Sequence, residues 1–135
     1  MNLMAEVEYL GNLRTQAKHL KSGKTIITDA PVDNNGKGEA FSPTDLVSAA
    51  LSSCMLTIMG IIAEREAIDL TGMQSEVVKI MTSNPRKIGE IQINFFHPTL
   101  KITDVQKQKL KNAALTCPVA LTLSESVKQS ITFNF

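Results

Sequence analysis

The chain has little of what several large functional classes require. Aromatic side chains make up 4% of its 135 residues, the net charge is only +1, and the lysines are scattered. No basic stripe interleaves with aromatics, which argues against nucleic acid as a partner. There are two cysteines, Cys54 and Cys117, too few and too far apart in sequence for a disulfide framework. Together with His19 and His97 they show no zinc-ligand spacing, so neither a metal nor a cofactor is expected. The N-terminal MNLMAEVEYL lacks the basic start and long apolar run of a secretory signal. The expected compartment is therefore the cytoplasm, where a cysteine pair is more often redox-active than structural. Internal repeats and low-complexity tracts are absent as well.

What is present reads as one soluble domain spanning residues 1–135. Apolar residues are 43% and charged residues 20%. A chain of this length buries roughly two-thirds of its unfolded surface. The stretch 41–66 dominates. Ser42-Pro43 is a helix-start signal, since Ser caps and Pro tolerates the first helical position. No charge occurs from Leu46 to Ala63, and Glu64-Arg65-Glu66 closes the run. At 100° per residue, Val47, Ala50, Leu51, Ile58 and Ile61 fall within about 60° of Cys54. The opposite face, with Ala49, Leu56, Met59 and Ala63, is apolar too. A helix that is apolar all round is expected to be buried all round. The run is near the lower limit for a membrane span, but Ser48, Ser52, Ser53, Thr57 and Gly60 weaken that reading. There is no second candidate span, so no membrane is expected, and a buried helix at a subunit interface fits better.

The other elements follow from local pattern. Residues 6–10, 13–20 and 25–28 read as short strands separated by Gly11-Asn12 and by Lys21-Ser22-Gly23-Lys24. Residues 29–38 read as a mobile connector without a phosphate-binding pattern. Residues 76–81 and 90–96 suggest a hairpin with Ile91, Ile93 and Phe95 on its buried face. Thr103-Asp104 opens an amphipathic helix to about residue 115, with Val105, Leu110, Ala113 and Ala114 available for packing. A further helix begins at Pro118, and residues 130–135 alternate as a last strand. Strands cluster instead of alternating with helices, which favours an α+β fold with an antiparallel sheet.

Cys117 precedes a proline at a helix start, where unpaired N–H groups and the helix dipole favour an anion. A free thiol is about 3% ionised at pH 7, and a lowered pKa there would make Cys117 reactive. Cys54 lies mid-helix among apolar residues, where burial raises a thiol pKa.

SPTDLVSAALSSC followed by a long apolar helix, with a later C-P-V-A at a helix start, resembles the OsmC/Ohr family of osmotically inducible and organic-hydroperoxide-resistance proteins. The resemblance covers nearly the whole chain in element order. It implies an intertwined homodimer of α+β subunits with two active sites at the interface. It implies a thiol-dependent peroxidase in which Cys54 attacks an organic hydroperoxide and becomes a sulfenic acid. Cys117 would condense with it to a disulfide, and a dithiol reductant would reset the pair. Arg14 best matches the family arginine that stabilises the thiolate and the leaving oxygen. The family glutamate is missing: its position, ten before the helix cysteine, is Thr44. Asp45 is adjacent but shorter and about 180° from Cys54 around the helix, and Glu39 is a further candidate. The residues expected to line a substrate pocket are Thr44, Asp45, Met55 and Ile58. The alternative is a non-catalytic dimer of the same fold that binds a small apolar ligand or senses redox state.

Overall fold

The computed structural model describes residues 2–135. The elements run β1 (Ala5–Gly11), β2 (Arg14–His19), β3 (Thr25–Asp29), a 3-10 turn (Val32–Asn34), α1 (Pro43–Arg65), β4 (Gln74–Thr82), β5 (Lys87–Phe96), α2 (Asp104–Leu115), α3 (Pro118–Thr122) and β6 (Lys128–Asn134). Two compact units divide between Val47 and Ser48, within α1.

The first unit is an antiparallel meander in the order β1-β2-β3. Val7 pairs with Ala17, and Ala17 with Ile26, so these side chains share one face. Glu6, Lys18 and Thr25 occupy the other. The turn into β2 is tight: Gly11, Asn12 and Leu13 all have positive φ, at 82°, 54° and 62°. A leucine there is strained by roughly 1–2 kcal/mol. The connector after β3 is not the loose segment the sequence suggests. Gly36 N–H donates to Pro31 O, Gly38 N–H to Ala30 O, and Ala30 N–H to Leu13 O. Gly36 approaches the backbone so closely that an added Cβ would lie 1.7 Å from Ala30 O. Among the described residues of this unit, the buried side chains are Thr28, Asp29 and Ser42, all polar.

The second unit holds the hydrophobic core. One face of α1 supplies Leu51, Met55, Met59 and Ala63; β5 supplies Ile88, Ile91, Ile93 and Phe95. Leu110 and Ala114 from α2 join them, with Cys117 and Ala120. Ser52 is buried on the same helix face and hydrogen-bonds Ser75 of β4 at 2.6 Å. Phe95 stacks on Phe133 of β6 at 5.6 Å between ring centroids. α2 starts with a capping box: Gln106 N–H donates to Thr103 Oγ1 at 3.1 Å, and Thr103 N–H to Gln106 Oε1 at 3.0 Å.

The α+β class stands, but there are two three-stranded sheets, and β6 runs parallel to β5. Two further expectations change. Val105 points out at 67% exposure, because the buried stripe of α2 runs through Leu110 and Ala114. The isolated chain buries only one face of α1: Val47 is 38% and Ile61 42% exposed on the face that carries Cys54. By length and composition alone α1 could cross a membrane, yet its other face is built into the core described above.

Candidate functional site

The two thiols belong to the second unit. Cys54 lies at the middle of α1 and is half-buried; Cys117 is fully buried at the N-cap of α3. Neither is in a disulfide. Leu110 and Ala114 of α2 and the start of α3 pack with the buried face of α1, and Cys54 packs against that cluster. The cysteines, far apart in sequence, are thereby neighbours. The hydrogen bond that the Cys117 thiol makes to Cys54 and the charge of Cys54 both favour the protonated form of Cys117.

Cys117 was expected to have a lowered pKa from its helix-start position, and the structure corrects this. The helix-end contribution is present, since Ala120 N–H donates to Cys117 Sγ at 3.4 Å. Burial is the larger effect, and the Cys54 interactions add to it, so the thiol is pushed above its ordinary range. The helix behind it is only five residues long, so few aligned peptide dipoles oppose that desolvation. Cys117 is thus a buried thiol that keeps its proton and faces another sulfur.

Arg14 lies in the first unit, at the start of β2. Its side chain is a partly buried ion-pair member. Arg14 Nε donates to Asp29 Oδ1 at 2.7 Å and Nη2 to Asp29 Oδ2 at 2.8 Å, a two-point fork. Nη2 also reaches Glu39 Oε1 at 3.1 Å. Glu39 N–H donates to Asp29 Oδ2 at 3.2 Å. The Arg14 hydrogen bonds are the main reason that the Asp29 carboxyl is held below the usual carboxylate range, against the opposing effect of burial. The same pair raises the Arg14 pKa further.

Asp29 escaped the sequence reading. In Thr-Asp-Ala-Pro it has the composition of an ordinary strand end. A usable signal existed: counting outward from the Lys21-Ser22 turn pairs Arg14 with Asp29, which is the register observed.

Thr44 and Asp45 serve the start of α1. Asp45 N–H donates to Ser42 Oγ at 3.0 Å, and Ser42 N–H donates to Asp45 Oδ2 at 3.0 Å. This is a capping box with Asp in the third helical position. Thr44 Oγ1 lies 3.2 Å from Ser42 Oγ. Asp45 also borders an open cleft of about 520 Å³ with Ile27, Gly38, Glu39, Ala40 and Phe41. Met55 is fully buried in the core, while Ile58 is only partly buried against it. A separate polar cleft of about 430 Å³, lined in part by Asp69, Thr71, His97 and Lys101, contains neither cysteine. His97 Nε2 bonds Thr71 O at 2.8 Å and Nδ1 accepts Thr99 N–H at 3.2 Å. His19 Nδ1 bonds Ser22 Oγ at 2.6 Å.

The family model described as OsmC-like protein matches residues 36–132. No curated protein matches the chain. Among solved structures, one from Psychrobacter arcticus 273-4, described provisionally as an osmotic stress induced and detoxification response protein, is 46% identical, with TM-score 0.95, covering 99% of this chain and 97% of that one. An OsmC-like protein of unknown function from Vibrio cholerae is 19% identical, with TM-score 0.76, covering 94% of this chain and 96% of that one. The organic hydroperoxide resistance protein OsmC from Legionella pneumophila is 17% identical, with TM-score 0.68, covering 98% of each chain. The last two share the fold.

Proposed function

We propose, from the premise that this chain belongs to the OsmC-like protein family, that it is a cytoplasmic, homodimeric, thiol-dependent peroxidase acting on organic hydroperoxides. The observation that carries the proposal is the buried, proton-holding Cys117 thiol set against Cys54. The Cys54 thiolate attacks one peroxide oxygen; the O–O bond breaks and the alcohol leaves after taking up a proton. Cys54 is then a sulfenic acid. The Cys117 sulfur attacks the Cys54 sulfur, an S–S bond forms, and water leaves. An external dithiol returns both thiols and is itself oxidised to a disulfide. Burial keeps the Cys117 thiol out of reach of peroxide and close when the sulfenic acid forms; its proton is given up as the sulfur attacks and leaves with the Cys54 hydroxyl as water. Arg14 is assigned the role of stabilising the thiolate and the leaving oxygen.

The dimer reading is supported by what a lone chain leaves uncovered. Val7 and Tyr9, on one face of the first sheet, are 68% and 63% exposed. Ile26 on that face and Ile61 on α1 are also exposed. Apolar surface on this scale marks an interface, and a second copy is the partner that the resemblance implies.

A non-catalytic dimer that binds an apolar ligand or senses redox state is favoured by two features. Thr44 replaces the family glutamate, and Arg14 is already engaged by Asp29 and Glu39. Intact mass after one equivalent of cumene hydroperoxide separates the two readings. A peroxidase gives a disulfide in the wild type and a Cys54 sulfenic acid in Cys117→Ser, with turnover when dithiothreitol is supplied. An inert Cys54 removes the peroxidase reading.

A further inference from the structure

Among the described residues, Asp29 is the one charged side chain that is buried. A buried carboxylate is costly unless paired and hydrogen-bonded. Asp29 meets that requirement by accepting three N–H groups: Nε and Nη2 of Arg14, and the backbone of Glu39. Arg14 and Asp29 are also direct partners in the β2–β3 register, so the fork is tied to sheet backbone at both ends. Glu39 holds the same Nη2 by one bond, and its carboxylate is 65% exposed. Three of the five Arg14 N–H donors are therefore used, and both N–H groups of Nη1 have no protein acceptor among the described residues.

We propose that Asp29 is a positioning residue for Arg14: it fixes the guanidinium by its Nε–Nη2 edge and leaves Nη1 to meet an acceptor, with Glu39 as a second, releasable clamp. This rests on the peroxidase reading, in which Arg14 serves the Cys54 thiolate and the oxygen that leaves. A guanidinium held on one edge has its rotamers settled before substrate arrives, so its orientation costs little at the moment of reaction. The division of labour follows from exposure. Asp29 is buried and two-point, whereas Glu39 is solvated and one-point, a geometry that contributes little. Arg14 thus finds its carboxylate partners within the strand meander and its connector, in a chain where the first turn of α1 offers Thr44.

The test uses the full-length protein with Asp29→Asn, Glu39→Gln, Arg14→Gln and the Asp29→Asn/Arg14→Gln double variant. Two quantities are read: kcat/KM for cumene hydroperoxide, and the pH midpoint of Cys54 alkylation by iodoacetamide in a Cys117→Ser background. Asp29→Asn is expected to lower kcat/KM by about tenfold or more, and Glu39→Gln by no more than about threefold. The double variant is expected to be no worse than Arg14→Gln alone, and the alkylation midpoint of Asp29→Asn to move to that of Arg14→Gln. Losses that multiply in the double variant, or an Asp29→Asn protein with wild-type rate and midpoint, overturn the proposal. If the wild type turns over no hydroperoxide, the peroxidase reading fails. The midpoint then still decides on Asp29: a shift in Asp29→Asn that coincides with the shift in Arg14→Gln supports positioning, and an unmoved Asp29→Asn midpoint overturns it. If Asp29→Asn does not fold, Asp29→Glu replaces it, keeping the charge but displacing the fork. A lowered kcat/KM at unchanged melting temperature supports the proposal, and an unchanged kcat/KM overturns it.

Discussion

Cys117 caps α3 with its own sulfur, accepting the Ala120 N–H at 3.4 Å while the side chain is fully buried. Burial outweighs that bond and pushes the thiol pKa up. The folded chain therefore holds the Cys117 proton more tightly than the unfolded chain does. Its contribution to stability is fully present below the ordinary thiol pKa of about 8.5 and is lost as pH rises through the folded value. At pH 7.5, iodoacetamide is expected to label Cys54 well before Cys117, with peptide mapping of the modified protein as the readout. Equal labelling of both thiols would contradict the buried, protonated state assigned to Cys117.

Asp29 titrates in the opposite sense. Arg14 lowers its folded pKa, so its contribution is present above the ordinary aspartate value of about 3.9 and is lost as pH falls through the lower folded value. Urea midpoints measured from pH 6 downward should show the wild type losing stability in that acid window. Asp29→Asn should flatten the decline. Arg14→Gln should shift it to higher pH, because the carboxylate then keeps its burial without its partner.

The parts of the fold that were readable from sequence are those decided locally. Ser42-Pro43 marks the start of α1, Thr103 caps α2 and Cys117 caps α3, because a cap depends on three or four consecutive residues. The direction of β6 was not readable, since alternation is the same in parallel and antiparallel strands and only the partner β5 settles it. Asp45 borders an open cleft, and its carboxylate also accepts the Ser42 N–H, a capping role set by its place three residues after Ser42. For Cys117 the local geometry was legible and the burial was not, as burial comes from α1, β5 and α2 closing around it. Burial decides the sign of its pKa shift.

Core substitutions should separate the two sides of the amphipathic elements. Met59 and Phe95 are fully buried. Met59→Ala is expected to cost about 2–5 kcal/mol and Phe95→Ala about 3–5 kcal/mol, the lost transfer energy plus the cavity left behind. Val105→Ala, at an exposed site on α2, should stay within about 0.5 kcal/mol. Urea unfolding at fixed protein concentration supplies all three values. A large loss at Val105 would mean that this side chain is covered in solution.

The assembly prediction rests on the first sheet. Its apolar face carries Val7, Tyr9 and Ile26, all at least half exposed in the lone chain. The unit to which they belong buries no hydrophobic side chain among its described residues. A three-stranded sheet needs a covered apolar face to hold together in water. If a second copy supplies the cover, size-exclusion chromatography with light scattering should give twice the chain mass, and melting should depend on protein concentration. Tyr9→Lys and Ile26→Lys place a charge on the face without touching the core of the second unit. Each should shift the protein toward monomer, with the midpoint of dissociation rising to higher concentration. A wild type that is monomeric and melts independently of concentration would remove the dimer and, with it, the placing of the active sites at a subunit interface.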